Sequence, residues 1–170
     1  MTFILSTGHI SDKSMTAISQ SLSSFWGVQH KEFSCNDSPV DTLKKIKSDN
    51  GIFQLNGDPA RLHGVEGTWI EALGVWKKNT LFVCKALPDG SIPGVSAAYV
   101  SLAKEFSLPL LGIIQYCGNW DQQNRVLDGL PWCGHLTENI EDSNQIGYLD
   151  EMDKIQSIVF YLKKKIKFLL

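Results

Sequence analysis

Hydroxyl, imidazole and ammonium groups are concentrated in one short loop near the N-terminus. The segment STGHISDKS follows the apolar run TFIL and precedes a pattern typical of a helix. Backbone N–H groups at a helix start, together with hydroxyls and one cation, suit a phosphate group. A plain helix cap formed by Asp12 and the serines is an equally good interpretation. The candidate phosphate contacts are Ser6, Thr7, Gly8, His9, Ser11 and Ser14.

The loop is not a Walker A motif, although Lys13 and Ser14 match the last two residues of that motif. Asp12 stands where the second glycine belongs, and Thr7 stands where the first one belongs. The carboxylate of Asp12 also argues against a bound triphosphate. His9 is a candidate general acid or phosphate contact, but a lone loop histidine more often has neither role.

No hydrolytic constellation is visible elsewhere in the sequence. There is no G-x-S-x-G or H-E-x-x-H motif, and Glu66 and Glu71 are spaced too loosely for a catalytic pair. There is also no C-x-x-C motif, and Cys117, Cys133 and His135 would need a distant fourth ligand to hold zinc. We therefore name no catalytic residue and no metal ligand, and expect reduced, packed thiols.

The candidate loops lie between alternating strand and helix patterns. The predicted elements, in chain order, are strand TFILST, helix DKSMTAISQSLSSFW, strand VQHKEF at an edge or half-exposed, helix SPVDTLKKIKSDN, short strand GIFQLNG, helix TWIEALGVWKKN, strand TLFVCKAL, helix GVSAAYVSLAKEF, strand LPLLGIIQY, short strand LPWCGHL and helix MDKIQSIVFYLKKKIKFLL, which ends at Leu170. This alternation predicts one α/β domain over residues 1–170, with a mostly parallel sheet and helices on both faces.

The architecture predicts where a ligand would bind. Open α/β sheets bind ligands outside the carboxyl ends of their strands, near a topological switch point. Three loops therefore become candidates: STGHISDKS after the first strand, ALPDGSIPG after the strongest strand, and QYCGNW after the next one.

Composition narrows the class of partner. The formal net charge of −2 gives no reason to expect nucleic acid or an anionic membrane as a partner. No apolar run approaches the roughly 20 residues that a membrane span needs, and the N-terminus lacks a signal-peptide pattern, so we expect a cytoplasmic protein. The basic run 163–167 suits phosphates or lipid headgroups, but is more often the solvated face of a last helix.

The second and third loops carry a resemblance to a known family. The segment GSIPGV at 90–95, followed by a helix and by LPLLGIIQYCGN, resembles the NADPH-dependent FMN reductases of the flavodoxin-like superfamily. In that family a strand ends in a Pro-Glu-Tyr-Asn-Gly-Ser run followed by Ile-Pro-Gly-Val, and this loop lies against the flavin ring. The likeness is closest over 80–119. It implies a flavodoxin-like three-layer sandwich.

The resemblance further implies an oxidoreductase with FMN bound at the three loops and NADPH as reductant. In such enzymes the flavin carries the redox chemistry and the protein orients it. The FMN phosphate would contact the first loop. The isoalloxazine would face Pro88, Asp89, Gly90 and Ser91, and its far side would be closed by Tyr116, Cys117 and Gly118. Two features differ from the family: the first loop lacks its arginine, and Leu87-Pro88-Asp89 replace its Glu-Tyr-Asn.

Two other families match parts of the chain. Nucleoside 2-deoxyribosyltransferases are similar in length, in the first strand and loop, and around 89–106, although Ala98, Tyr99 and Val100 stand where their nucleophilic glutamate lies. Dethiobiotin synthetase-like P-loop enzymes are similar at Lys13-Ser14, at VEG and at LLGIIQ. A nucleoside- or nucleotide-processing enzyme and a non-catalytic binding protein of the same fold therefore stay open. A small-molecule substrate or cofactor is the expected partner of either enzyme, the non-catalytic protein would use the fold for partner binding, and a homodimer is compatible with the sequence.

Overall fold

A six-stranded parallel sheet forms the centre of the molecule. The structure is a computed structural model that describes residues 1–144 and 146–169, without the side chains of 168 and 169. The strands are β1 (Thr2–Ser6), β2 (Gln29–Ser34), β3 (Gly51–Asn56), β4 (Asn79–Lys85), β5 (Leu110–Tyr116) and β6 (Trp132–Leu136). Their order is β2-β3-β1-β4-β5-β6, and every neighbouring pair is parallel.

Helices cover both faces of this sheet. They are α1 (Asp12–Trp26), α2 (Pro39–Lys45), α3 (Trp69–Val75), α4 (Gly94–Glu105), α5 (Gln122–Leu127) and α6 (Tyr148–Leu169), with short 3₁₀ helices at Gly64–Glu66 and Glu138–Glu141. One face packs against α1 and α6, and the other packs against α2, α3 and α4. The three-layer α/β sandwich of the flavodoxin-like class is therefore confirmed.

The central strands are apolar on both sides because helices cover both sides. In β4, Leu81 and Val83 contact the layer that contains α1 and α6, while Phe82 and Cys84 contact the layer that contains α3 and α4. The edge strand β2 is half-exposed along its length, as its alternating sequence predicts. Cys35 and Cys84 are buried, and all four cysteines are free thiols.

The strand order gives β1 a central position. β3 and β4 are its two neighbours, and β2 lies outside β3. Flavodoxin itself has the order 2-1-3-4-5, in which the second strand lies next to the first. Because β3, β1 and β4 are neighbours and parallel, the loops that follow them lie side by side at the carboxyl ends of these strands.

Some element boundaries differ from those predicted. Helix α5 was not predicted, because its sequence QQNRVL has no apolar face: Val126 and Leu127 are exposed and Arg125 is the buried residue. α2 and α3 are shorter than predicted, and α6 begins earlier, at Tyr148. The predicted end of α6 at Leu170 lies outside the described residues. No helix in the described ranges is both long and apolar enough to cross a membrane.

Candidate functional site

The path of the chain across the sheet reverses at β1, and this reversal opens a crevice. From β1 the chain crosses to β2 on one side of the sheet, whereas β4, β5 and β6 follow one another on the other side. The helices that follow β1 and β4 pack on opposite faces. Ligands of open α/β sheets bind at such a switch point, so the space between these two loops is the first candidate site.

Two adjoining cavities make up the crevice, and they differ in chemistry. The polar half, about 440 Å³, has Ser6, Ser11, Asp12, Asp58 and Tyr99 in its lining. The apolar half, about 300 Å³, is lined mainly by Ala86, Leu87, Pro88, Pro93 and Val95. Gly8, His9 and Val95 line both halves. Both volumes are within the usual range for small-molecule sites.

Thr7 fixes the position of the first loop. Its side chain is buried, and its Oγ1 lies 2.9 Å from the hydroxyl oxygen of Ser96 in α4. Ser96 in turn donates a hydrogen bond to the Cys84 sulfur at 2.8 Å, and the Thr7 N–H donates to the Val83 carbonyl. The hydroxyl of Thr7 is therefore used inside the protein, where it holds the first loop against β4 and α4.

Ser11 and Ser14 are also engaged within the protein. Ser11 is the N-cap of α1, since its Oγ accepts a hydrogen bond from the Ser14 N–H at 3.1 Å. The two hydroxyl oxygens lie 2.6 Å apart, and Ser14 donates to Oε1 of Glu141 at 2.6 Å. The sequence left open whether the serines bind a phosphate or cap the helix, and in the structure Ser11 caps the helix.

Glu141 places a carboxylate at the start of α1. It lies at the end of the 3₁₀ helix before α6 and accepts hydrogen bonds from the hydroxyls of Ser14 and Tyr116. The ammonium group of Lys13 lies 3.3 Å from Oε2 of Glu141. The hydrogen bonds from Ser14 and Tyr116, followed by Lys13, lower the pKa of Glu141. Burial, followed by the hydrogen bond to Glu141, raises the pKa of Tyr116.

A phosphate does not fit at this helix start. Lys13 and Ser14, which in a P-loop would contact phosphates and their metal, here contact the carboxylate of Glu141. Asp12 adds a second carboxylate in the first turn of α1. A bound FMN phosphate would therefore meet like charges and hydroxyls that already have partners.

The four predicted residues of the second loop line two different cavities. Pro88 lines the apolar half of the crevice, whereas Asp89, Gly90 and Ser91 line a separate cavity of about 610 Å³ beside α5. Asp89 accepts hydrogen bonds from the backbone N–H and the hydroxyl of Ser91, and these bonds lower its pKa. The Gly90 carbonyl accepts a hydrogen bond from the buried Arg125 guanidinium at 2.6 Å. Of the four, only Pro88 lines the crevice.

The third loop adjoins the crevice through Pro88. Cys117 and Gly118 line a cavity of about 610 Å³ that also includes Lys85, Ala86 and Pro88. Tyr116 is buried and turned toward Glu141. Burial, with a smaller contribution from Glu138, raises the pKa of Cys117 to about 11. This thiol is therefore protonated near neutral pH and is a poor nucleophile.

The second and third loops interlock through two glycines. Gly90 has a φ of 86° and Gly118 has a φ of 65°, a region that other residues rarely adopt. A Cβ on Gly90 would collide with the carbonyl oxygen of Asn119, and one on Gly118 would collide with that of Leu87. Each loop therefore packs its glycine directly on the backbone of the other.

Asp58 is a crevice residue that the sequence did not single out. It follows β3, which the sequence pattern supported only weakly. One of its carboxylate oxygens accepts hydrogen bonds from the Tyr99 hydroxyl at 2.6 Å and from the Ala60 N–H at 2.9 Å. Tyr99 is otherwise a core residue that packs edge-on against Phe82. Burial, followed by Asp58, raises the pKa of Tyr99, so the phenol stays a hydrogen-bond donor.

Replacing Tyr99 with phenylalanine is expected to lower the free energy of unfolding by about 1 kcal/mol. The ring packing is kept, but the hydrogen bond to the Asp58 carboxylate is lost. Urea unfolding followed by circular dichroism measures the change. Tyr148→Phe is the matched control and is expected to be near neutral. Equal losses in the two variants would contradict the assigned role of the Tyr99 hydroxyl.

The basic run near the C-terminus is partly folded back onto the protein. Lys165 donates to the Leu111 carbonyl at 2.7 Å, and Lys163 donates to the Trp26 carbonyl at 3.3 Å. Lys164 lies over the Phe160 ring. Two of these lysines therefore anchor α6 to neighbouring elements instead of forming a free cationic surface.

Comparison with known proteins adds no family to this description. No protein-family model matches the chain, and no curated protein is significantly similar to it.

Proposed function

We propose that the protein binds a nucleoside-like small molecule in the crevice between the loops after β1, β3 and β4. The observation that supports this is the division of the crevice into two chemically different halves. The polar half is lined by the carboxylates of Asp12 and Asp58, and no lysine or arginine of the described chain lines it. The apolar half next to it is lined by Leu87, Pro88 and Val95.

The two halves match the two parts of a nucleoside. Ionised carboxylates only accept hydrogen bonds, and sugar hydroxyls donate them; Asp58 has carboxylate lone pairs beyond those used by Tyr99 and Ala60. A flat base would lie against the apolar half, where burial of its ring is favourable. His9 lines both halves, so this residue lies at the junction between sugar and base.

The charge of the polar half favours an uncharged group over a phosphate there, whereas Lys85 is among the residues that line the apolar half. Asp12 and Asp58 line the polar half, and Glu141 closes the start of α1 nearby. A phosphate in this half would be repelled by these groups. We therefore expect a nucleoside to bind at least tenfold more tightly than its monophosphate, a difference of about 1.4 kcal/mol.

Calorimetric titration with the common nucleosides and their monophosphates tests this proposal. Wild-type protein is expected to bind at least one nucleoside in preference to its monophosphate. Asp58→Asn, which keeps the shape of the side chain, is expected to weaken that binding about tenfold by loss of a charge-assisted hydrogen bond. Asp41→Asn, at an exposed aspartate of α2, is the control. No binding of any nucleoside at millimolar concentration would reject the proposal.

A flavin is the second candidate ligand, and one observation favours it. Pro88 lines both the apolar half and the adjoining cavity that contains Cys117 and Gly118. The second and third loops thus meet where the resemblance to FMN reductases places the isoalloxazine. Because the start of α1 does not fit a phosphate, riboflavin is expected to bind at least as well as FMN. Fluorescence quenching of both flavins, followed by addition of NADPH, tests this candidate, and absence of quenching would reject it.

A further inference from the structure

A groove runs along the open edge of β6. We call it the edge groove and define it by Trp120, Val126, residues 131–134, Ser157 and Tyr161, which enclose about 520 Å³. β6 is the last strand of the sheet, so within the described chain its outer side pairs with no strand. One wall comes from α5 and the loop before it, and the other comes from α6. The groove therefore has the form of a slot for one more strand.

The two edges of the sheet differ in how they are protected. Native proteins commonly block edge strands with charged side chains. The β2 edge has Lys31 and Glu32 within the strand, whereas β6 has the sequence WCGHL, without lysine, arginine or a carboxylate. Val126 and Tyr161 beside β6 are 75% and 42% exposed. No charged side chain within β6 itself therefore blocks this edge, and apolar surface lies on both sides of it. The ladder from β5 to β6 is irregular between Ile113 and Ile114, and the buried Arg125, which is paired with Asp128, also lines the groove.

We propose that β6 pairs in an antiparallel manner with β6 of a second copy of the chain, which joins two six-stranded sheets. Gly134, at the centre of β6, lies directly against Ile158 in the middle of α6, since a Cβ on Gly134 would meet the Ile158 side chain. The centre of the strand and the middle of the helix are therefore at the same level. A single two-fold axis near Gly134 relates both the strands and the α6 helices.

The spacing between the two α6 helices suits helix packing. α6 packs over β5 and β6, and neighbouring strands of a sheet lie about 4.8 Å apart. A helix above the β5–β6 pair would lie about 10 Å from its symmetry mate, near the upper end of the usual interaxial distances. Ser157, a small residue that lines the edge groove, would lie where the two helices cross.

The charge pattern of α6 favours a second copy over an unrelated strand. Asp150, Ser157 and Lys164 are spaced seven residues apart and so lie on one side of the helix. When two α6 helices cross in an antiparallel manner at Ser157, Asp150 of one copy lies opposite Lys164 of the partner subunit. The two-fold axis forms this pair twice. This side of α6 is therefore complementary in charge to the same side of a second copy. Binding of an unrelated strand at β6 would not need such self-complementarity.

Sedimentation velocity of the full chain at several concentrations tests the proposal. Wild type is expected to be a dimer at micromolar concentration. Lys164→Glu and Asp150→Lys are each expected to raise the dimer dissociation constant about tenfold at low salt, because each places two like-charged pairs across the axis. The double variant restores both pairs and is expected to recover most of the affinity. Tyr161→Asp, which places a charge in the groove, is expected to be monomeric, whereas Lys47→Glu, at an exposed position just after α2, is expected to behave as wild type.

Two results would overturn the proposal. One is a wild-type chain that is still monomeric at a protein concentration on the order of 100 μM, far above the micromolar range in which the dimer is expected. The other is a double variant that stays as weak as the single ones while its circular dichroism spectrum is native. A monomer that binds an extended peptide at β6 would assign the edge groove to an unrelated strand and would also reject the dimer.

Discussion

Gly90→Ala is expected to lower the free energy of unfolding by about 3 kcal/mol, the largest effect that we predict for a single methyl group in this protein. Two costs combine. A φ of 86° is unfavourable for alanine, and backbone strain of this kind costs about 1–3 kcal/mol. The added Cβ would also collide with the Asn119 carbonyl, which is rigid backbone and cannot move aside as a flexible side chain would.

Gly94→Ala is the matched control for this experiment. Gly94 lies four residues away, at the first position of α4, and a Cβ there meets no atom within 4 Å. Alanine at Gly94 is expected to be neutral or slightly stabilising, since it restricts the unfolded chain. Urea unfolding of both variants gives the comparison. An ordinary surface substitution changes the free energy of unfolding by up to about 0.5 kcal/mol. If the free energies of unfolding of Gly90→Ala and Gly94→Ala differ by no more than this, the interlock of the two loops is contradicted.

Glu141→Gln is expected to destabilise the protein by about 2 kcal/mol at pH 7. The amide keeps the shape of the side chain but weakens the hydrogen bonds from Ser14 and Tyr116 and removes the ion pair with Lys13. Hydrogen bonds to charged groups contribute about 1.5–3 kcal/mol. The Glu141 side chain is only 18% exposed, so solvent screens these interactions incompletely.

The effect of Glu141→Gln is expected to depend on pH with a defined sign. The pKa of Glu141 is lowered in the folded protein, so its carboxylate stabilises the fold at pH values above the ordinary glutamate pKa of about 4.3. This stabilisation is lost as the pH falls through the folded-state pKa. The difference in free energy of unfolding between wild type and Glu141→Gln should therefore be greatest at pH 7 and become smaller in acid.

Urea unfolding of wild type and variant from pH 7 to pH 3 measures this gap. Glu138→Gln is the control, because Glu138 lies on the same short helix and is exposed. It is expected to change stability by less than about 0.5 kcal/mol. A gap that stays constant with pH would show that the charge of Glu141 does not contribute.

The sequence predicted the layers of the fold because burial leaves a local signature. The apolar runs of β4 and β5 and the helical spacing in α1, α4 and α6 are visible within short windows. Helix α5 left no such signature, because its only buried residue is Arg125. The sequence also contains no local pattern that predicts the position of β3 beside β1, because strand order is set by contacts between distant parts of the chain.

The candidate site was only partly predictable for the same reason. The loops after β1 and β4 could be located from the strand pattern and the switch-point rule. The actual partners of their side chains could not, because Ser14 bonds to Glu141 and Tyr99 bonds to Asp58 across long stretches of sequence. Hydroxyls that look available in the sequence are therefore engaged in the structure.

The contact between Ser14 and Glu141 joins residues 127 positions apart. During synthesis the first strand and helix leave the ribosome long before Glu141 does, and at about 5–20 residues per second the delay is on the order of ten seconds. Contacts of such long sequence separation also slow folding, because they require closure of a long loop. The hydrogen bonds at the start of α1 consequently cannot be completed until Glu141 has been made.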